Sequence, residues 1–366
     1  MSTPDFYVVV HGGAGVHKHD YDQQVKQGLA AACTKALQSL SSGAQSLEAI
    51  EAGICALEDD PIFNAGFGSN LTLEGKVECD AAVMEGTAQD FGSIGAVSGV
   101  KNPIKVARTI LGQSRVPDKL GRIFPMTLVA DGARAFAKQH LGEDVLQPPE
   151  QLVSPKALKQ WSTWKRRLDE PDQAPKPDNN SGLDDIQDTV GAVAWSNAHG
   201  FAAGVSSGGL LLKHPGRIGQ AATFGAGCWA QHTPNKCGMA CSVSGAGEEI
   251  MRTSLAQQLA SAIETASESG DVHEILKGVM EEKFAGIHRS RGQSHPNAGL
   301  VLLTAENEGE EEPRVRLWCA FTTESMAIAY ASSRHPVPKA KVLRRGPEKN
   351  IATTDGLHLY ITSFSI

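Results

Sequence analysis

No window of the sequence approaches the ~20 consecutive apolar residues that a membrane-crossing helix needs. The opening MSTPDFYVVV has no basic region followed by a long apolar run, so no secretory leader is expected. Positive charge is in deficit: 34 Lys and Arg stand against 41 Asp and Glu, a formal net charge of −7. That balance gives no reason to expect nucleic acid as a direct ligand. The seven cysteines are odd in number, which points to reduced thiols in the cytoplasm or nucleus. Only Cys237 and Cys241 lie close together, and no second pair follows at a matching spacing, so a zinc site is not expected. No internal repeat or low-complexity array is present.

What is there is ordinary for a globular protein: 41% apolar and 20% charged residues over 366 positions. The 38 glycines carry no period and imply tight turns and close backbone approaches. Phe6 to Val10 reads as a buried strand leading into HGGAG at 11–15. Val25, Leu29, Ala32, Ala36 and Leu40 share one helical face that ends at Gly43, and Ser46 to Glu58 reads as a second helix before Asp60-Pro61. A hairpin is predicted from Leu71–Leu73 and Val77–Met84, and a strand over 94–100. Helices are predicted at 103–113, 131–140, 154–168, 246–267 and 271–285, and strands at 189–196, 201–207, 298–304, 315–321 and 326–331. Two blocks of strands flanked by helices suit an α/β layered sandwich, with helices outside and two sheets inside.

Composition changes near 169–188, DEPDQAPKPDNNSGLDDIQD, where three prolines and many acids leave little to bury; this reads as a mobile loop. Lys165-Arg166-Arg167 just before it reads better as a solvated helix end than as a nuclear-import signal. Order resumes at Thr189 in IQDTVGAV. A threonine inside a chain has no built-in base. If the bond between Asp188 and Thr189 is cut, Thr189 gains an α-amine with a pKa of about 8, which can take the proton of its own hydroxyl.

Several further motifs follow in order: SSGGLLLKHPGRIGQAATFGAGCWA at 206–230, SVSGAGEE at 242–249, and, upstream, HGGAG at 11–15 and FNAGFGSNLTLEGKVECDAAVMEG at 63–86. Together with DTVGA they resemble the plant-type asparaginase family of Ntn hydrolases, and within it the threonine aspartase branch, the taspases. The resemblance is strong over about 7–100 and 188–260, weaker after 290 and poor in 101–187. It implies a four-layer αββα sandwich in which 1–188 and 189–366 are the α and β halves of one folded domain, cut from each other at Asp188–Thr189 and commonly paired as a dimer of αβ heterodimers. It implies Thr189 as nucleophile, Ser207 as a second hydroxyl beside it, Ser244 and Gly245 as the oxyanion hole, and Asn64 near the nucleophile. Arg217 is the expected grip on a substrate carboxylate, a role that suits a bidentate guanidinium. The loop at 57–69 resembles a sodium-binding loop of backbone carbonyls; no other cofactor is implied.

Small-molecule asparaginases of the family carry an aspartate three residues after that arginine, where it meets a substrate ammonium. Here the position is Gln220, which is neutral and loses that hold. With Lys213-His214-Pro215 it favours an endopeptidase that cuts proteins after Asp, as the taspase resemblance implies, with nuclear transcription regulators among its substrates. The alternatives are an L-asparaginase or isoaspartyl peptidase, a non-enzymatic scaffold, and a nucleotide-binding protein resting on HGGAG alone. That last motif lacks both the P-loop lysine and the dinucleotide glycine spacing, and reads better as close backbone packing.

Overall fold

The computed structural model describes residues 5–171, 188–232, 238–266, 270–293, 295–306, 313–346 and 357–366. The chain opens with β1 (Phe6–Gly15), α1 (Asp22–Ser41), α2 (Ser46–Glu58), β2 (Cys79–Glu85), β3 (Phe91–Val97) and α3 (Pro103–Ser114). It continues through β4 (Thr127–Val129), α4 (Ala130–Leu141), α5 (Pro155–Asp169), β5 (Val190–Ser196), β6 (Gly200–Ser207), β7 (Cys228–Gln231) and β8 (Gly238–Gly245). Then come α6 (Gly247–Thr253), α7 (Leu255–Thr265), α8 (Val272–Gly278), a π-helical segment Val279–Ala285, and α9 (Gly286–Ser290). The chain closes with β9 (Ala298–Glu306), β10 (Arg314–Phe321), β11 (Ser325–Ser332), β12 (Lys339–Arg344) and β13 (Tyr360–Ser365).

Among the described residues the strands form two sheets, an eight-stranded one in the order β12-β11-β1-β5-β6-β2-β3-β4 and a five-stranded one in the order β13-β10-β9-β8-β7. Alternation along the strands builds the layers. On β1, Val8 and Val10 face Leu29, Ile50 and Ile54 of α1 and α2, while Tyr7 and Val9 face the second sheet. On β5, Ala192 and Ala194 face the helices, and Val193 and Trp195 turn inward with Val243, Leu300 and Leu302 of β8 and β9. Leu255, Leu259 and Leu276 cover the far side of the second sheet. The order helix, sheet, sheet, helix is the αββα sandwich. Strands from before and after position 188 interleave: β1 pairs with both β5 and β11.

Local signals explain the helices. Ser154 Oγ accepts from the Ala157 N–H at 3.2 Å and Pro155 opens α5, while Pro103 opens α3. Gly43, at φ +87°, follows α1.

Several elements differ from expectation. HGGAG is strand, the last part of β1, with a bulge between His11 and Ala14. The hairpin at 71–84 reduces to one bridge, Leu71 to Val77, because β2 pairs instead with β3 and β6. The helix over 246–267 is two, broken at Ser254 with φ +47°, and 271–285 ends in the π segment. β4, β7, β8, β12 and β13 are strands that the sequence pattern does not predict. The stretch 172–187, most of the expected loop, lies outside the described residues, as does Cys237; Cys241 is a buried core thiol.

The sheets approach closely at Gly191. A Cβ there would come within 2.4 Å of His11 Nε2 and also overlap Ser242 Oγ. Gly191→Ala should therefore destabilise the fold by roughly 3 kcal/mol, read as a drop in the urea midpoint at unchanged slope.

Candidate active site

Sheet register places the central hydroxyl. Val190 pairs with Ser206 across β5 and β6, so one step further sets Thr189 opposite Ser207. Their side chains lie on the face of the sheet that looks towards the second sheet, and Thr189 Oγ1 sits 3.0 Å from Ser207 Oγ. Ser207 Oγ also accepts from the Gly209 N–H at 3.0 Å, and Gln220 Nε2 donates to Thr189 Oγ1 at 3.1 Å. Thr189 Oγ1 thus lies between the Gln220 amide and the Ser207 hydroxyl. Thr189, Ser207 and Gln220 are all buried.

The carbonyl before Thr189 is held separately. Asn64 Nδ2 donates to the Asp188 carbonyl oxygen at 2.7 Å and to the Gly209 carbonyl at 2.9 Å. Asn64 is itself fixed, since its Oδ1 accepts from the Asn70 N–H at 2.8 Å. An amide donor on that oxygen stabilises negative charge developing there.

Asp188 packs against the bulge in β1. At Gly13, φ +106°, a Cβ would stand 2.8 Å from Asp188 Oδ1. HGGAG is thus a close backbone approach, made to the residue before Thr189. Asp188 Oδ1 is buried without a hydrogen bond among the described residues. Burial raises the Asp188 carboxyl above its ordinary value, and His17 and Lys156 nearby oppose that.

Arg217 is reached through Gln220. A Cβ on Gly247 would lie 2.6 Å from Gln220 Oε1 and 2.7 Å from Arg217 Nη2, so both side chains border one small space beside Thr189. Arg217 is not vacant: its Nε donates to Glu248 Oε1 at 2.8 Å and its Nη2 to Glu248 Oε2 at 2.5 Å. Burial pushes the Glu248 carboxyl up, but the Arg217 hydrogen bond and charge outweigh it and hold the carboxyl below its usual value. Nη1 lies instead against Gly209 and Gly219, either of which would clash or crowd it if it carried a Cβ. The Gly219 N–H is anchored on buried Asp80 Oδ2 at 2.7 Å, which fixes the loop carrying Arg217. Buried Lys213 donates to the Gly208 carbonyl at 2.9 Å, behind the same pocket.

Ser244 and Gly245 close β8. Ser244 Oγ accepts from the Ala14 N–H at 2.9 Å, which leaves its own proton to donate. Gly245 has φ +136° and its absent Cβ makes room for the Asn297 carbonyl. Neither hydrogen-bonds Thr189 among the described residues. Thr189, Ser207, Gln220, Asn64 and Asp188 are joined by direct contacts; Arg217 joins through Gly247.

Known proteins share this chain's motifs over most of its length. The model of the asparaginase family matches residues 4–294. The chain belongs to that family. It is 34% identical over 340 residues to an isoaspartyl peptidase/L-asparaginase of Xenopus laevis, covering 92% of this chain and 99% of that protein. A plant-type L-asparaginase of Thermococcus kodakarensis is 35% identical over 274 residues, 72% of this chain and 83% of its own length. The human isoaspartyl peptidase/L-asparaginase is 34% identical over 281 residues, 76% and 84% respectively. This family membership makes the chain an amidohydrolase with an Ntn-hydrolase fold.

Three participants carry no signal in the sequence. Glu248 stands inside SGAGEE without a role. His11, fully buried, reaches Ser242 Oγ at 2.8 Å. Ser242 spends its proton on the Gly204 carbonyl, so His11 Nε2 is the donor. Burial pushes that imidazole down to about 3, partly opposed by the Thr189 carbonyl. Glu58 accepts from Ser206 Oγ at 2.7 Å and the Ile104 N–H at 3.0 Å. Only membership of a buried helix end could have hinted at it.

Burial raises the Glu58 carboxyl to about 8, against the hydrogen bonds from Ser206 and Ile104. The folded state keeps this proton where the unfolded chain has lost it. The resulting stabilisation is complete below the unfolded value of 4.5 and is lost as pH rises through 8. Urea unfolding should show wild type losing on the order of a few kcal/mol relative to Glu58→Gln between about pH 5 and about pH 8.5.

Proposed function

We propose that this amidohydrolase cuts its own chain between Asp188 and Thr189, and that the freed Thr189 then hydrolyses peptide bonds after Asp. The observation that carries the first step is the Asn64 amide on the Asp188 carbonyl, directly before a buried threonine whose hydroxyl is paired with Ser207. Thr189 Oγ attacks the Asp188 carbonyl carbon and passes its proton by way of Ser207. Asn64 stabilises the oxyanion. The C–N bond breaks, the Thr189 nitrogen takes up the proton, and an ester remains. Water cleaves that ester, leaving a carboxylate on Asp188 and a free amine on Thr189.

The amine then serves as base for the hydroxyl beside it. A substrate carboxylate takes the outer N–H groups of Arg217, centred on Nη1, while Glu248 holds the Nε side and keeps the guanidinium in place. The carboxylate of Asp188 itself faces Gly13, His17 and Lys156 and not Arg217, so a substrate Asp would turn its side chain differently from Asp188. Ser244, anchored by Ala14, and the Gly245 N–H supply oxyanion donors for the second reaction. The amine returns the proton to the leaving group and water clears the acyl-enzyme. The Glu58, Pro61 and Phe63 carbonyls crowd the absent side chains of Gly66 and Gly68. Neutral carbonyl oxygens such as these would suit sodium as a structural ion of this loop.

A second reading has its own support. The relatives' names point to isoaspartyl peptidase and L-asparaginase activity. Against it stands Gln220, whose amide donates to Thr189 Oγ1 and offers no anion to a substrate ammonium. Peptides differing only in Asp, isoaspartyl or Asn at the cut distinguish the two. Cleavage after Asp is expected; ammonia from Asn, or cleavage of the isoaspartyl peptide alone, would establish the second reading. Gln220→Asp should move the preference towards the isoaspartyl substrate.

Self-cleavage is read by mass spectrometry. Wild type should yield fragments 1–188 and 189–366, and Thr189→Ala should stay whole. Asn64→Ala should slow the cut by about 10²-fold. A Thr189→Ala chain that still parts at this junction would remove the basis of the proposal.

A further inference from the structure

A groove of about 560 Å³ runs away from Asp188 between α5 on one side and the segment around His17 and Lys18 on the other. Its charge is one-sided. His17, Lys18, Lys156, Lys159 and Arg167 line it, and Asp188 is the single acidic residue among its lining. Lys18, Lys159 and Arg167 form no ion pair with any described residue. Arg167 stacks over Trp164, 4.6 Å from the ring centroid, and Lys156 sits on the Ile62 carbonyl at 2.6 Å.

The spacing is that of a track. Lys156, Lys159, Thr163 and Arg167 recur every three to four residues, which is one face of α5. From Lys156 to Arg167 the helix rises about 16 Å. Four to five residues of extended peptide span the same length at about 3.3 Å each. A chain leaving the cut Asp along the groove therefore meets Lys156 first and Arg167 around the fourth or fifth residue. In this protein's own sequence the fourth and fifth residues counted back from the cut are Asp185 and Asp184.

We propose that this groove binds the acidic polypeptide segment that precedes the cleaved Asp in a protein substrate. The inference rests on the endopeptidase reading above and extends it. The pocket at Arg217 selects the residue at the cut, and the groove selects its upstream context. Carboxylates at the fourth and fifth positions pair with Arg167, Lys159 adds positive charge earlier along the track, and Lys18 contributes from the opposite wall. A single amino acid or a dipeptide cannot reach these groups, so the groove separates protein substrates from small amides.

The probe is a labelled peptide ending in the sequence LDDIQD. It ends at the Asp of the cut, and mass spectrometry checks that its internal Asp–Asp and Asp–Ile bonds stay intact, so binding is measured apart from catalysis. Its counterpart carries Asn at both upstream acids, LNNIQD. Fluorescence anisotropy with the full chain should show the acidic peptide binding at least tenfold tighter at low salt, with the advantage shrinking as salt rises. Lys159→Gln with Arg167→Gln should abolish the preference, and Lys18→Gln on the other wall should reduce it. All three side chains are on the surface, and unchanged thermal melting checks that the variants fold. Equal affinities for the two peptides, or a preference that survives all three substitutions, would overturn the proposal. If longer peptides carrying LDDIQD are bound selectively but not cut, the groove stands and the endopeptidase reading falls.

Discussion

The antiparallel pairing of β5 with β6 fixes where the chemistry happens. Because Val190 lies opposite Ser206, the next pair brings two hydroxyls, Thr189 and Ser207, to hydrogen-bonding distance on the same face of the sheet. A slip of one residue would turn Thr189 towards the helices and part it from Ser207. On the other side, β1 supplies a bulge at Gly12-Gly13, and the missing side chain of Gly13 lets Asp188 lie against the strand. Thr189, Ser207 and the bond before Thr189 are thus positioned by main-chain hydrogen bonds of the central strands.

Polar burial around this row is extensive and nearly all of it has a purpose. Asp80 holds the Gly219 and Ala96 N–H groups, Asn64 holds the Asp188 carbonyl, and Glu58 holds Ser206 from below. Each of these side chains is buried, and each is held by backbone or hydroxyl partners, so none depends on a mobile surface group. The Arg217–Glu248 pair is different: Glu248 is half exposed. It orients a guanidinium at the rim of the site and leaves its remaining N–H groups directed inward. The rim of this pocket thus carries the Arg217–Glu248 pair, and its floor carries the neutral amide of Gln220.

Much of this is legible in the amino-acid sequence. The helical faces of α1 and α2, the strands on either side of Thr189, and the motifs at 63–86, 206–230 and 242–249 carry enough pattern to place the fold and to pick out Thr189, Ser207, Asn64, Arg217 and Gln220. Partners distant in the chain whose residue types are common leave no such trace. A histidine opening HGGAG and a glutamate closing α2 look like turn or surface residues until the fold buries them, and the glutamate after SGAG gains its partner, Arg217, only in the fold. β7 and β8 escape notice because their residues, small and mixed, show no alternation by themselves.

The sequence by itself determined the main helical faces and strands and the motifs that carry the family likeness, since these are read locally along the chain. Only the tertiary structure decided that Arg217 is already held by Glu248, that Asp188 turns to Gly13 and not to the arginine, and that α5 lines a cationic groove reaching that aspartate. Those outcomes depend on which strands become neighbours and how closely two sheets can approach. Such distances between remote residues are set by packing, and no stretch of sequence encodes them alone.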